Sequence, residues 1–201
     1  MKYIILAFLL LGPLSFIGTS NGITEEERAF AISELSRTQE MVQETVKNLS
    51  VEQLNFKSSP ESWSIAEGVE HLAISENSFS EMFNGSLQTP ADPSKRDEVK
   101  LSDEELSAII TDRSNKVKTP QPFEPSGKFG SHEETLKAFN SKRTEHLSYV
   151  ENSEDDLRNH FGQLPFGTVD AYQILLFMSG HTERHVKQME EVLADEDFPM
   201  E

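Results

Sequence analysis

The sequence predicts an all-α protein: a four-helix bundle with a short extra helix and a Pro-rich loop inserted between the second and third bundle helices. Three observations lead there. Long segments beginning near Thr24, Ser62, Ser131 and Thr168 carry apolar residues at helical spacing. Each of those starts offers a Ser or Thr hydroxyl able to accept from the first free backbone N–H groups of a helix. No stretch shows strand-like alternation, an internal repeat or a low-complexity tract.

Thr24 is followed by Glu25, Glu26 and Glu27, carboxylates placed at the positive end of a helix dipole. That helix is expected to reach about Asn48, with Leu35, Met41 or Val42, Val46 and Leu49 inward. Ser50 to Ser62, with Pro60, reads as a connection, after which Ser62 or Ser64 caps a helix from Ile65 to Gly85. It packs through Ile65, Val69, Leu72, Phe79 and Phe83. At its flank stands His71, whose wheel neighbours Gly68, Ser75, Ser78 and Met82 are mainly small and leave room for an ion. The alternative is a surface His among ordinary small residues.

Leu87 to Lys100, with Pro90 and Pro93, reads as a loop. The capping box Ser102 to Glu105 opens a short helix using Leu106, Ile109 and Ile110. TPQPFEPSGKFG, residues 119–130, must be irregular, and its length suits a binding-site loop better than a connector. Ser131 and Glu134 box the next helix, which buries Leu136, Phe139, Leu147 and Val150. His146 lies at the edge of that face and reads as a partly exposed structural residue. Asn152 to Gly167 is expected as a loop delivering Thr168 as the last cap, and His132 and His160 read as ordinary polar residues.

The last helix, Asp170 to Leu193, organises the rest. Ile174, Phe177, Met178, Met189 and Val192 form one apolar stripe, and His181 and His185 fall in its middle. Glu183, Arg184, Lys187, Glu190 and Glu191 occupy the opposite face, so a polar surface was available to the imidazoles and was not used. Residues at i and i+4 lie one above the other, close enough for both rings to hold one metal ion, with a third ligand coming from elsewhere. The alternative, core histidines satisfied by hydrogen bonds, must offset the several kcal/mol that unpartnered burial of two imidazoles costs.

Met1-Lys2, the mostly apolar run Tyr3–Ile17 and the small polar segment Gly18–Gly22 have the layout of a secretory signal peptide. The expected organisation is therefore a signal peptide at 1–20 and one domain over 23–195, exported to the periplasm or outside the cell. Gly12 and Pro13 interrupt the run, so no stable membrane anchor is expected after cleavage. There is no Cys, which excludes disulfides, thiol nucleophiles, Cys-ligated zinc and a lipid anchor on a cleaved Cys. Against 18 Lys plus Arg stand 35 Asp plus Glu, a balance that disfavours nucleic acid and anionic membranes as partners. A small-molecule ligand is the expected partner, and the sequence leaves a homodimer open.

Five segments in order carry a family resemblance: Trp63-Ser64-Ile65-Ala66-Glu67 leading to Glu70-His71-Leu72; Gly127-Lys128-Phe129; Gly167; Asp170-Ala171-Tyr172-Gln173; and His181-Thr182-Glu183-Arg184-His185 with Gln188. The chain resembles the DinB-like superfamily of metal-binding four-helix bundles over nearly all its length after the leader. The resemblance implies a metal site of His71, His181 and His185, holding a divalent ion: zinc or nickel first, then iron or manganese. Characterised members include thiol transferases using small cofactor thiols and an isomerase, and the export signal departs from those cytosolic transferases.

Three neutral imidazoles with an open coordination position fit a metal-dependent hydrolase, with Glu67 or Glu70 as proton carriers unless they merely face solvent. The other classes are a non-catalytic metal or small-ligand binding module and a thiol-dependent S-transferase. Ligation by all three rings requires nitrogens roughly 3 to 4 Å apart, since each bond to the ion is about 2.0 to 2.1 Å.

Overall fold

The computed structural model describes residues 22–114 and 117–200, so the expected signal peptide at 1–20 lies outside the described residues. Its elements are α1 (Glu25–Val46), α2 (Val51–Asn55), α3 (Ile65–Leu87), α4 (Asp103–Thr111), α5 (His132–Asn152), β1 (Phe161–Leu164), β2 (Gly167–Asp170) and α6 (Ala171–Leu193). The same local device starts five of the helices. Thr24, Ser50, Ser64, Ser102 and Ser131 each accept from the backbone N–H three residues on, while the Glu or Gln there reaches back to the cap's own N–H. Each such cap is worth on the order of 1 kcal/mol and fixes where the helix begins.

The four long helices α1, α3, α5 and α6 make the expected bundle. α1 packs along α6 and α5, and α3 packs along the same two, so the chain's first two long helices face each other across a diagonal, as do its last two. Of the two shorter helices, α4 lies outside against α6 and α2 against α3. Gly180 makes that approach feasible, because a Cβ there would collide with the Ile110 side chain. Two apolar clusters fill the interior. One is built on Leu35, Phe83, Leu106, Tyr172 and Leu175, the other on Val42, Ile65, Leu72, Phe139 and Val186.

Between the clusters the bundle is tied by an ion pair. Arg143 of α5, fully buried, clamps Glu76 of α3 through Nε at 2.7 Å and Nη2 at 3.0 Å, donates to Thr38 of α1 at 2.7 Å and to Thr182 of α6 at 2.8 Å, and caps the Leu35 carbonyl at 2.9 Å. All four bundle helices meet there, and all five guanidinium protons point at oxygen partners. His146 joins through Nδ1, 3.2 Å from Glu76 Oε1. It is buried, not partly exposed as its edge position suggested, because the Glu76 carboxylate offers it a partner inside.

Several local expectations are corrected. The Ser50–Ser62 connection contains α2, a single boxed turn, and its Gln53 together with Phe56 holds the C-terminal segment: Gln53 donates to the Pro199 carbonyl, and the Phe56 and Phe198 rings meet edge-on at 5.5 Å. The loop from Leu87 to Lys100 includes a 3-10 turn, Pro93–Glu98. Ile109 is exposed, while Leu106 and Ile110 of α4 turn their side chains to the core.

A two-stranded antiparallel hairpin, β1 with β2, replaces the expected loop before the last helix. Pro165 and Phe166 form its turn, closed by Gly167 at φ 139°, a backbone conformation that favours glycine. The cap of α6 is consequently Asp170, not Thr168; its Oδ1 accepts from Gln173 N at 2.7 Å. Arg158 fixes this corner by pairing with Glu27, Asp103 and Asp170 while lying 4.1 Å above the Tyr172 ring.

Candidate metal centre

His71 is placed by α3 and His181 and His185 by α6, two neighbouring helices of the bundle. Their rings converge. His71 Nε2 lies 3.3 Å from His181 Nε2 and 3.0 Å from His185 Nε2, and one ring nitrogen from each residue falls within 4.8 Å of the other two. The remaining histidines are elsewhere: His146 on Glu76, His160 beside the Ser86 carbonyl, and His132 at the start of α5. His71, expected at the flank of its helix, is buried at 3 % exposure, while His181 and His185 keep partial access to solvent.

Hydrogen bonds on the far side of the rings fix which nitrogen is free. His71 Nδ1 stands 2.8 Å from the Phe123 carbonyl, which can only accept, so Nδ1 carries the proton and Nε2 a lone pair. His185 Nδ1 stands 3.0 Å from Gln188 Oε1, with the same result. Burial disfavours the charged form of all three rings. His71 is lowered by burial against a smaller upward pull from the Phe123 carbonyl; His181 lies well below its ordinary value, through burial and then its two imidazole neighbours; His185 is lowered to about 3, mainly by burial and then by His71. Two unprotonated nitrogens therefore face each other 3.0 Å apart with no hydrogen between them. A cation relieves that juxtaposition of lone pairs, and about 3.3 Å is the separation of two nitrogens bound tetrahedrally to one ion.

The donor set thus fits a divalent metal. Aromatic rings wall it: Trp63 lies 4.9 Å from His71 and nearly parallel to His185 at 6.2 Å, and Phe79 presents its edge to His181 at 5.1 Å. Beside His185 a cleft of about 630 Å³ opens, lined among others by Trp63, Arg113, Thr119, Arg184 and Gln188. The gap left by Gly68 is not space for a ligand, since Met189 fills it: a Cβ there would lie 3.1 Å from the Met189 side chain. Ser75, also singled out as small, brings its hydroxyl to 3.5 Å from His71 Nε2.

Neither Glu67 nor Glu70, the carboxylates considered as proton carriers or as a solvated face, is free. Glu67 closes the capping box with Ser64 and pairs with Lys57 at 2.8 Å. Glu70 is buried, not solvated, and its Oε1 accepts from the backbone N–H groups of Ser126 and Lys128 at 3.1 and 3.0 Å. Sequence reasoning missed this role, as it missed Arg143 and Glu76.

A helical bundle in which two adjacent long helices converge three imidazoles on one point forms a recognisable structural class. The chain belongs to the DinB superfamily, whose family model matches residues 34–189. It is similar to the uncharacterized protein YuaE of Bacillus subtilis, 28% identical over 148 residues that cover 73% of this chain and 87% of that protein. Among solved structures it is similar to YfiT from Bacillus subtilis, reported as a probable metal-dependent hydrolase with an unusual four-helix bundle topology. The TM-score is 0.57 at 16% identity, covering 86% of this chain and 89% of that one, so the likeness is one of fold.

Proposed function

We propose that the protein is an exported metal-dependent hydrolase whose divalent ion is held by His71, His181 and His185. The observation that carries this reading is the 3.0 Å approach of His71 Nε2 and His185 Nε2, both left as lone pairs by the carbonyl oxygens behind them. An ion in that position would supply Lewis-acid activation of water and of an ester, amide or lactone group. The chain's own part is positional. Phe123 and Gln188 hold two rings in the ligating tautomer, Trp63 and Phe79 limit access of bulk water, and the cleft beside His185 admits a small molecule. Zinc or nickel suits three imidazoles best, with iron or manganese next. The family membership and the reported nature of YfiT support the reading.

One observation favours a second reading, a binding module without chemistry. Both Glu67 and Glu70 are committed to structural hydrogen bonds, which leaves the centre without either of these nearby carboxylates as a general base. Elemental analysis of protein purified without an affinity tag should find one divalent ion per chain, and a panel of ester, amide and lactone substrates then separates the two readings. A metal present at a hundred times its Kd adds about 2.7 kcal/mol to the folded state, so chelator should lower Tm by roughly 5 to 10 °C. His181→Ala should lose that sensitivity and His132→Ala keep it; if both respond as the wild type does, the three-histidine reading is wrong.

A further inference from the structure

The 119–130 loop meets α3 at two consecutive residues. Glu70 takes the N–H groups of Ser126 and Lys128 on one carboxylate oxygen, and His71 donates from Nδ1 to the carbonyl of Phe123, three residues earlier in the same loop. Gly127 lies between the two donors at φ 74°, a left-handed conformation that turns successive N–H groups toward a common concave face. From Phe123 to Lys128 the segment is only six residues long and includes Pro125. Fixing Ser126 and Lys128 therefore restricts where the Phe123 carbonyl can stand. Phe123 also carries its ring to 6.2 Å from Phe79, whose edge touches His181.

We propose that Glu70 is a positioning residue for the three-histidine centre. By clamping the loop it holds the Phe123 carbonyl, which in turn sets the tautomer and ring orientation of His71. The proposal rests on the three-histidine reading for its effect on metal, but its first step is a property of the metal-free chain. Ser126 and Lys128 are exposed, so water can satisfy their N–H groups when the carboxylate is removed. Loss of Glu70 should accordingly disorder the loop's placement while leaving the bundle intact. Groups that orient a metal-binding imidazole through its second nitrogen change metal affinity by about 10- to 100-fold when lost.

Two measurements on the full chain test this with zinc as the probe. In metal-free protein, nitrogen-15 imidazole spectra should show His71 of the wild type protonated at Nδ1, and E70A should shift it to a mixture of tautomers. In competition against a chromophoric chelator, E70A should bind zinc about 10- to 100-fold more weakly, with helix content and cooperative melting retained. E70Q keeps an amide oxygen where Oε1 stood and should restore both the tautomer and most of the affinity. E70A with a wild-type tautomer, or with a changed tautomer and unchanged zinc affinity, overturns the proposal. A wild type that takes up no zinc, while E70A still alters the His71 tautomer, overturns the three-histidine reading and with it any role of Glu70 in a metal centre.

Discussion

Replacing Glu76 with Gln removes one negative charge from the middle of the bundle and almost no volume. Burial alone would raise the Glu76 carboxyl, but the Arg143 charge, with hydrogen bonds from His146 and Arg143, overrides it and holds the carboxyl at about 2, against an ordinary 4.5. The difference corresponds to roughly 3 kcal/mol in favour of the folded state at neutral pH. Mutational experience agrees: stranding one partner of a buried pair costs about 3 to 5 kcal/mol. At roughly 2 to 4 °C per kcal/mol for a chain of this size, E76Q should melt about 6 to 20 °C below the wild type at pH 7. The sign of the pH effect follows from the lowered carboxyl. Its contribution is complete above the unfolded value near 4.5 and is lost as pH falls through the folded value near 2. Urea denaturation followed by circular dichroism at several pH values should therefore show the gap between wild type and E76Q closing over that window. Removing both charges together, as E76L with R143M, should recover a large part of the loss. A gap under about 1 kcal/mol at pH 7, with the same acid dependence in both proteins, would refute the assignment of this pair as a buried tie between helices.

Other outcomes follow from the same geometry. Gly180→Ala should destabilise by about 1 to 3 kcal/mol by driving α4 off α6 at Ile110, read as a lower urea midpoint. Because His71, His181 and His185 are all held below the free value of about 6.5, the metal-free protein should lose stability as pH falls below that value, where the unfolded chain takes up protons that the folded chain refuses. Melting curves of metal-stripped protein between pH 7 and 5 check this, and a stability that rises on acidification would contradict it. Arg158→Ala leaves Asp170 buried with fewer partners at the cap of α6 and should lower Tm by several degrees; amide exchange should show the hairpin opening first.

The histidine pair on α6 was legible because the signal lies within one helix: two imidazoles in register with Ile174, Phe177, Met178, Met189 and Val192 leave few alternatives. The partner His71 was visible only as a His near small residues, and its burial depended on how α3 rotates against α6. Arg143 and Glu76 could have been found. The inward register of α3 runs Ile65, Val69, Leu72, Phe79, Phe83 and passes through Glu76, and that of α5 runs Leu136, Phe139, Val150 and passes through Arg143. A charge at an inward position in each of two helices is the signature of a buried pair, but composition-based reasoning assigns both residue types to the surface. The hairpin and α2 were hidden for another reason. Strands of four residues are too short to show alternation, and a single helical turn has no periodicity, so both exist through tertiary contacts. The role of Glu70 depends on where a loop over fifty residues away returns to α3, which spacing on one helix cannot reveal.

The diagonal order of the bundle bears on how the protein comes into being. His71 and His181 meet across a sequence separation of 110, and α6, which brings two of the three rings, follows all the other described helices in the chain. Local helix formation takes well under a millisecond, but this contact requires closing a loop longer than half the chain. A nascent chain that has not yet reached α6 carries only His71 of the three, and a lone imidazole competes poorly for a scarce ion. Any ion that the three rings hold is therefore bound only once α6 has docked on α3, which couples loading to completion of the fold.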